Sequence, residues 1–386
     1  MVSRFEFATA TRIIFGNGTA QEAAPLAASF GKRALIVTGK STQRAEKLAQ
    51  SLHDLGLSVS FFPIDGEPRI EAAAVGAAQA RHMQADCVIG FGGGGALDGG
   101  KAIAALATNA GDPLDYLEVI GKAQPLQHPP LPYIALPTTS GTGSEVTRNA
   151  VLTSTEKQVK VSLRNALMLP RIAIVDPELT YSMPPEVTAT TGLDALTQLI
   201  EPFTCNRPNP LTDSICREGI GRVAWALERA FEDGSDIEAR AAMSMASLFG
   251  GMALANARLG AVHGFAAPIG GMFGAPHGAI CAALLPHTMR ANIIALQADN
   301  SDFAREVLSR YEEIALLLDA DADPMDGVER VSEICQKLRV PRLREIGIRR
   351  ESFDAIVEKA RNASSMQGNS VKLTDEALHS ILDAAY

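Results

Sequence analysis

The chain has 386 residues, enough for one large or two ordinary domains, and its 46% hydrophobic and 20% charged content allows a substantial core. A net charge of −9 with no block of like charges lacks the basic footprint that nucleic-acid binding needs. The five cysteines, Cys87, Cys205, Cys216, Cys281 and Cys335, are odd in number, scattered and free of CxxC spacing. That is the usage of reduced thiols in a cytoplasmic protein, not of a disulfide frame.

In chain order, MVSRFEFATATRIIFG at the start lacks the apolar core of a signal peptide. No apolar run reaches the roughly 18 residues of a membrane span, so no membrane partner is expected. RALIVTG (33–39) reads as a β-strand, and STQRAEKLAQSLHDLG as a helix with Ala45, Leu48, Leu52 and Leu55 on one face. SVSFFPI and RIEAAAVGAAQARHMQA repeat the pair. DCVIGFGGGG is a strand running into glycines, ALDGGKAIAALATNA a helix, and LPYIALPTTSGTGSE a strand running into a polar turn. Strands alternating with helices imply βαβ units and a parallel sheet, whose ligands bind off the carboxyl ends of the strands. Near Ser182 the rhythm changes to helices, among them EARAAMSMASLFGGMALANARLGAVHG, apolar on most faces and therefore expected inside a bundle. A catalytic cleft between two domains is the default expectation.

Two turns and one cluster carry chemistry. GGGGALDGGKA (92–102) exposes backbone amides at a helix start, which suits an anion. It can be read as a GxGxxG turn (90–95), as a ligand-free tight turn, or as a Walker loop ending at Lys101. In the last reading Ala102 lacks the hydroxyl that would hold Mg²⁺. PTTSGTGSE (137–145) is a second turn, rich in hydroxyls suited to phosphate or carboxamide oxygens, or to capping. Two such turns after parallel strands favour a dinucleotide. In GLDALTQLIE, Asp194 and Gln198 stand at i and i+4 on one helix face. His263 and His277 bracket a segment broken by Pro268, Gly270, Gly271, Gly274 and Pro276, so two helices joined by a bend could aim both at one point. A carboxylate with two imidazoles suits Fe²⁺ or Zn²⁺; the plain alternative is a capping Asp, a surface Gln and two core histidines.

Together these stretches resemble the iron-containing (group III) alcohol dehydrogenase family over nearly the whole chain. The family's GGGSxxDxxKA stands as GGGGALDGGKA, its PTTxGTGSEVT as PTTSGTGSEVT, and its DPxL as DPEL (176–179). Its GxDALxHxIE stands as GLDALTQLIE and its HxxAHxLGxxxxxPHG as HGFAAPIGGMFGAPHG (263–278). The resemblance implies a dehydroquinate synthase-like fold. An α/β NAD(P)-binding domain with a parallel sheet would cover 1–182, and an all-α catalytic and metal domain 183–386. It implies that Gly93, Gly94 and Gly95 cradle the cofactor's pyrophosphate, and that Asp98 of the same motif is a cofactor-binding residue. Thr138, Thr139, Thr142 and Leu179 would lie against the cofactor, and Lys160 would reach its ribose. Asp194, His263 and His277 would be metal ligands, with both histidines at the reacting centre. The implied function is NAD(P)-dependent interconversion of an alcohol and an aldehyde or ketone, in a homodimer or larger homo-oligomer.

Three positions depart from the family pattern. Its fourth ligand, usually histidine, is Gln198, a neutral and weaker donor. Gln198 could still ligate or hold a water, or the protein could act without metal like the maleylacetate reductases, keto-acid reductases of this family, with His277 as general acid. A histidine four residues after the first ligand is Ala267, leaving no assigned proton relay. An aspartate that favours NAD(H) is Gly39, followed by Lys40 and Ser41, which favours the extra phosphate of NADP(H). A polyol dehydrogenase shares the architecture but calls for a more complete ligand set. A keto-acid pocket would need cations such as Arg148 or Arg258. A nucleotide-binding protein without catalysis is the rival from another class.

Overall fold

The computed structural model describes residues 4–386, which form two compact units. One comprises Thr9–Thr139 and Gly143–Tyr181. Its strands are β1 (Arg12–Phe15), β2 (Arg33–Thr38), β3 (Ser58–Pro63), β4 (Cys87–Gly92), β5 (Tyr133–Pro137), β6 (Asn149–Ser154), β7 (Val159–Arg164) and β8 (Ile172–Val175). Its helices are α1 (Ala23–Ala28), α2 (Glu46–Asp54), α3 (Ile70–His82), α4 (Gly94–Thr108) and the short α5 (Pro113–Tyr116). Six strands form a sheet in the order β1-β8-β5-β4-β2-β3, with every pair parallel. Parallel strands need helical crossovers, which cover both faces, so alternate residues are buried in opposite directions. Ala34, Ile36, Ile89, Ile134 and Ile174 pack with Leu48 and Leu52 of α2 on one face. Leu35, Val37, Val88 and Ala135 pack with Leu97 and Ile103 of α4 on the other. Each such large aliphatic side chain contributes roughly 1.5–3 kcal/mol by leaving water. Leu55, expected on the apolar face of α2, lies beyond its end and is 44% exposed.

The hairpin β6–β7 was not among the expected elements. It pairs Asn149–Ser154 antiparallel with Val159–Arg164, and Ala150, Leu152, Val161 and Leu163 pack on Ala102, Ala105 and Leu106 of α4.

The second unit comprises residues 4–8, Ser140–Thr142 and Ser182–Tyr386. Its helices are α6 (Pro185–Thr204), α7 (Pro210–Glu232), α8 (Ile237–Asn256), α9 (Ala261–Phe273), α10 (His277–Gln297), α11 (Asp302–Leu317), α12 (Pro324–Lys337), α13 (Phe353–Arg361) and α14 (Asp375–Ala385). Among the described residues no strand follows β8. The α/β and all-α architecture is therefore the one expected. The apolar run at 238–264 is not one helix, however. It breaks at residues 257–260, where a Cβ on Gly260 would stand 2.9 Å from both the Glu201 and Asn369 oxygens. Helix α10 is long and apolar enough to cross a membrane by length and composition, but 72% of its most apolar window is buried. Leu284, Leu285 and Ile293 lie in the core of the helical unit, so α10 has the burial of a core helix.

Candidate active site

The glycine turn begins where β4 ends. Gly93 is the N-cap of α4 and no side chain caps it, so the first-turn amides of α4 are not occupied by a capping group. The backbones crowd: a Cβ on Gly92 would lie 3.3 Å from the Gly39 nitrogen, and one on Gly93 would lie 3.3 Å from the Thr139 side chain. Gly95 stands where the family motif has serine, and its Cβ would strike the Gly66 carbonyl oxygen at 2.3 Å. The Thr138 amide donates to the Gly92 carbonyl at 2.9 Å, which ties the turn after β5 to the turn after β4. The carboxyl ends of β2, β4 and β5 thus meet around an uncapped helix N-terminus. This is where the strand order reverses, with β3 laid outside β2 and β5 outside β4. Bare amides at such a switch point are suited to a phosphate.

Lys101 does not reach toward that turn. It is 1% exposed, and its ammonium donates to the Ser144 carbonyl (2.8 Å), the Thr147 hydroxyl (2.8 Å) and the Asn149 carbonyl (2.6 Å). Three donors are thereby used, so the Walker reading fails on geometry as well as on Ala102. Burial lowers the Lys101 pKa, while Asp98 and Glu145 pull it back up. Asp98 accepts from the Ser144 hydroxyl and the Val151 amide, so it too ties the helix to the second turn and the hairpin. Glu145 is 2% exposed, and burial pushes its carboxyl up to about 7.

The other expected cofactor residues are spread around these strand ends. Ser41 accepts from the Gln43 amide at 3.3 Å, Lys40 pairs with Asp65 at 3.1 Å in water, and Lys160, nearly buried, pairs with Glu67 at 2.9 Å. Thr142 falls in the other unit, with Ser140, whose hydroxyl bonds Ser244 at 3.1 Å. Sequence reasoning missed Arg44. Its guanidinium donates to the Leu179 carbonyl and to the Thr138 hydroxyl, joining two of the expected residues.

The second cluster is built from side chains of the helical unit. Asp194 and Gln198 lie one turn apart on α6, both buried. His263 lies in the first turn of α9, which continues through Pro268, Gly270 and Gly271. The expected bend comes only at 274–276, where Gly274 adopts φ +65°, a conformation glycine takes without strain. His277 then opens α10, and Gly278 lets that helix end approach α6: a Cβ there would meet the Thr190 carbonyl at 2.7 Å. Asp194 Oδ1 lies 3.5 Å from His263 Nε2 and 3.6 Å from His277 Nε2, and the two rings are 5.4 Å apart. Cys281, one turn after His277, places its Sγ 3.7 Å from His277 Nε2. The donor atoms of Asp194, His263, His277 and Cys281 all lie within 4.8 Å of one another.

Two residues of this cluster escaped sequence reasoning. Glu201 completes an i, i+4, i+7 series with Asp194 and Gln198. Its carboxylate accepts from His263 Nδ1 at 2.7 Å and from the Val262 amide at 2.7 Å. A carboxylate that accepts from Nδ1–H leaves Nε2 as the nitrogen a cation would take, on displacing its proton. Cys281 is at i+4 from His277, a spacing that could have flagged it. Burial opposes a charge on His263, but Glu201 and Asp194 outweigh it and lift its pKa to about 10. Burial would raise the Asp194 carboxyl; His277, His263 and Cys281 hold it below the usual range instead.

The residues fit a divalent cation. Asp194 Oδ1, His263 Nε2 and Gln198 Oε1 are buried with no hydrogen-bond partner. Polar atoms left so in a folded interior cost roughly 1–3 kcal/mol each, more when charged. Ala267 is half-buried on α9, and among the described residues no further histidine joins the cluster's set of donors.

Residues 10–177 match the family model for iron-containing alcohol dehydrogenase, and residues 188–386 the model for the C-terminal region of that family. Alcohol dehydrogenase 4 of Saccharomyces cerevisiae is 34% identical over 379 residues, 96% of each chain. The crystal structure of a 1,3-propanediol oxidoreductase superposes with a TM-score of 0.91 at 32% identity, over 100% of both chains. Sulfoacetaldehyde reductase from Bifidobacterium kashiwanohense in complex with NAD⁺ superposes with a TM-score of 0.87 at 28% identity, over 99% of both chains.

Proposed function

Because this chain belongs to the iron-containing alcohol dehydrogenase family and is an oxidoreductase interconverting alcohols and carbonyl compounds, we propose that it does so with a divalent metal held by Asp194, His263 and His277. The observation that carries this reading is the pair of buried atoms without a hydrogen bond, Asp194 Oδ1 and His263 Nε2, 3.5 Å apart with His277 Nε2 3.6 Å from the same oxygen. When bound, the metal supplies Lewis acidity at the substrate oxygen and the nicotinamide supplies or takes the hydride. The chain's own part is orientation and charge. Glu201 keeps the proton of His263 on Nδ1, and burial of Asp194 keeps water from competing for its carboxylate. We assign residues 1–182 to NAD(P) binding and 183–386 to the metal side. Gly93, Gly94 and Gly95 would take the pyrophosphate, with Asp98, Thr138, Thr139, Thr142, Lys160 and Leu179 around the cofactor.

The preferred cofactor is NADP(H), on the strength of Gly39, Lys40 and Ser41. The exposed Lys40–Asp65 pair is worth at most about 1 kcal/mol, so a 2′-phosphate can recruit the lysine from it. A homodimer or larger assembly follows from the family resemblance, and a cytoplasmic location from the scattered cysteines. The reading is tested by stripping metal with a chelator and following NADPH absorbance with an aldehyde panel. Turnover should vanish on stripping and return with Zn²⁺ or Fe²⁺. Full turnover in the stripped protein would move the function to a metal-independent reductase of the keto-acid type.

A further inference from the structure

The α6 position that carries the family's fourth imidazole holds Gln198, yet the cluster contains a donor of another kind. We propose that the Cys281 thiolate is the fourth protein ligand of the metal, giving an Asp-His-His-Cys set that selects Zn²⁺ over Fe²⁺. This rests on the metal-dependent reading above.

The distances carry the argument. Around tetrahedral zinc, with metal–nitrogen and metal–oxygen bonds near 2.05 Å and a metal–sulfur bond near 2.3 Å, donors stand about 3.3 Å apart for N and O and about 3.6 Å apart for N and S. The structure has 3.5 and 3.6 Å from Asp194 Oδ1 to the two imidazole Nε2 atoms, and 3.7 Å from Cys281 Sγ to His277 Nε2. No pair in the set exceeds 4.8 Å, so a contraction of about 1 Å closes it on one ion. Asp194 and His263, both over nine-tenths buried, each bring to this space an atom that makes no hydrogen bond. Helix register does the rest: His277 and Cys281 are one turn apart on α10 and present two donors side by side.

Chemistry favours sulfur over the amide at 198. A thiolate is anionic and polarisable, whereas the Gln198 oxygen is neutral. With Asp194 it brings two negative charges against the dication. On binding, the Sγ–H proton passes to solvent as the sulfur–metal bond forms, with no change of oxidation state. A soft ligand in a tetrahedral set favours zinc, while the all-hard and imidazole sets accept iron.

The test is Co²⁺ titration of the chelator-stripped full-length protein under anaerobic conditions, read by absorbance. Wild type should develop visible ligand-field bands together with an intense near-ultraviolet thiolate-to-cobalt band, saturating at one equivalent. Cys281→Ser should keep the visible bands, lose the near-ultraviolet band and bind Co²⁺ weaker by at least roughly tenfold. Visible bands without the near-ultraviolet band in wild type would overturn the thiolate ligand while leaving the metal site standing. A near-ultraviolet band that survives in Cys281→Ser would also overturn it, since another cysteine would then be the source. No bands of either kind would remove both this inference and the metal-dependent reading.

Discussion

Each unit buries a charge, and the two are treated in opposite ways. Lys101 is closed off: its three ammonium donors end on the Ser144 carbonyl, the Thr147 hydroxyl and the Asn149 carbonyl. Asp194 is left open, with one oxygen lacking any hydrogen-bond partner although the residue is 1% exposed. A buried charge that is fully satisfied holds structure together. One that is incompletely satisfied costs stability unless something else completes it. The motif lysine is thus a staple between α4 and the turn beyond β5, and the motif aspartate keeps an oxygen without a hydrogen bond, as the proposed metal ligand requires.

This contrast breaks most sharply by exchanging the two losses. Asp194→Asn keeps shape and removes the charge. Steady-state kcat/KM should fall by roughly 10³-fold, as expected when a Lewis acid worth several kcal/mol is lost, with little change in far-ultraviolet circular dichroism. Lys101→Met should do the reverse. It strands Asp98 and several carbonyls, so unfolding in urea should show a loss of about 3–5 kcal/mol, while the metal affinity of the protein that still folds is unchanged.

Beside Lys101, Glu145 sharpens the same point through pH. Its folded pKa of about 7 lies above the ordinary 4.5, so the folded state holds the proton more tightly. The contribution to stability is full below pH 4.5 and is lost as pH rises to about 7, by on the order of 3 kcal/mol. Glu145→Gln should flatten that slope in denaturant titrations between pH 5 and 8; Lys101 and Asp98 are the charged groups nearby and stay in place. In the open cluster, Glu201→Gln should weaken metal binding by roughly 10–100-fold without changing NADPH affinity, because its contacts are to His263 and the start of α9. The smallest effect belongs to the turn. A side chain at Gly39 meets nothing within 4 Å, so Gly39→Asp should fold normally and shift the NADP(H)/NAD(H) ratio of kcat/KM toward NAD(H) by about tenfold. An unchanged ratio would refute the assignment of Gly39.

The same contrast explains what could be read beforehand. The turns after β4 and β5 are contiguous, and glycine or threonine at a strand end announces its geometry locally. The strands themselves follow from short apolar runs. The hairpin β6–β7 gives no clean signal, because Val151 between Ala150 and Leu152 breaks the polar alternation, and its buried face is defined by packing on α4. The break between α8 and α9 has a tertiary cause: Gly260 is pressed against Glu201 and Asn369, and Asn256 binds residue 8 through its side-chain amide. For the candidate metal cluster, residue types and the bend offer Asp194, His263 and His277 beside a plain core-histidine alternative, and only the family motifs choose between them. Glu201 and Cys281 enter it by helix register, at i+7 from Asp194 and i+4 from His277, a spacing that offers them as candidates but leaves the choice to the neighbouring helix.

The most direct test of the open-charge account is elemental analysis of protein purified anaerobically without affinity metals, with a thermal melt of the same sample before and after stripping. The account predicts about one Zn or Fe per chain and a melting point that drops on stripping and recovers on adding the ion back. A metal-free protein whose melting point ignores added Zn²⁺ and Fe²⁺ would contradict it.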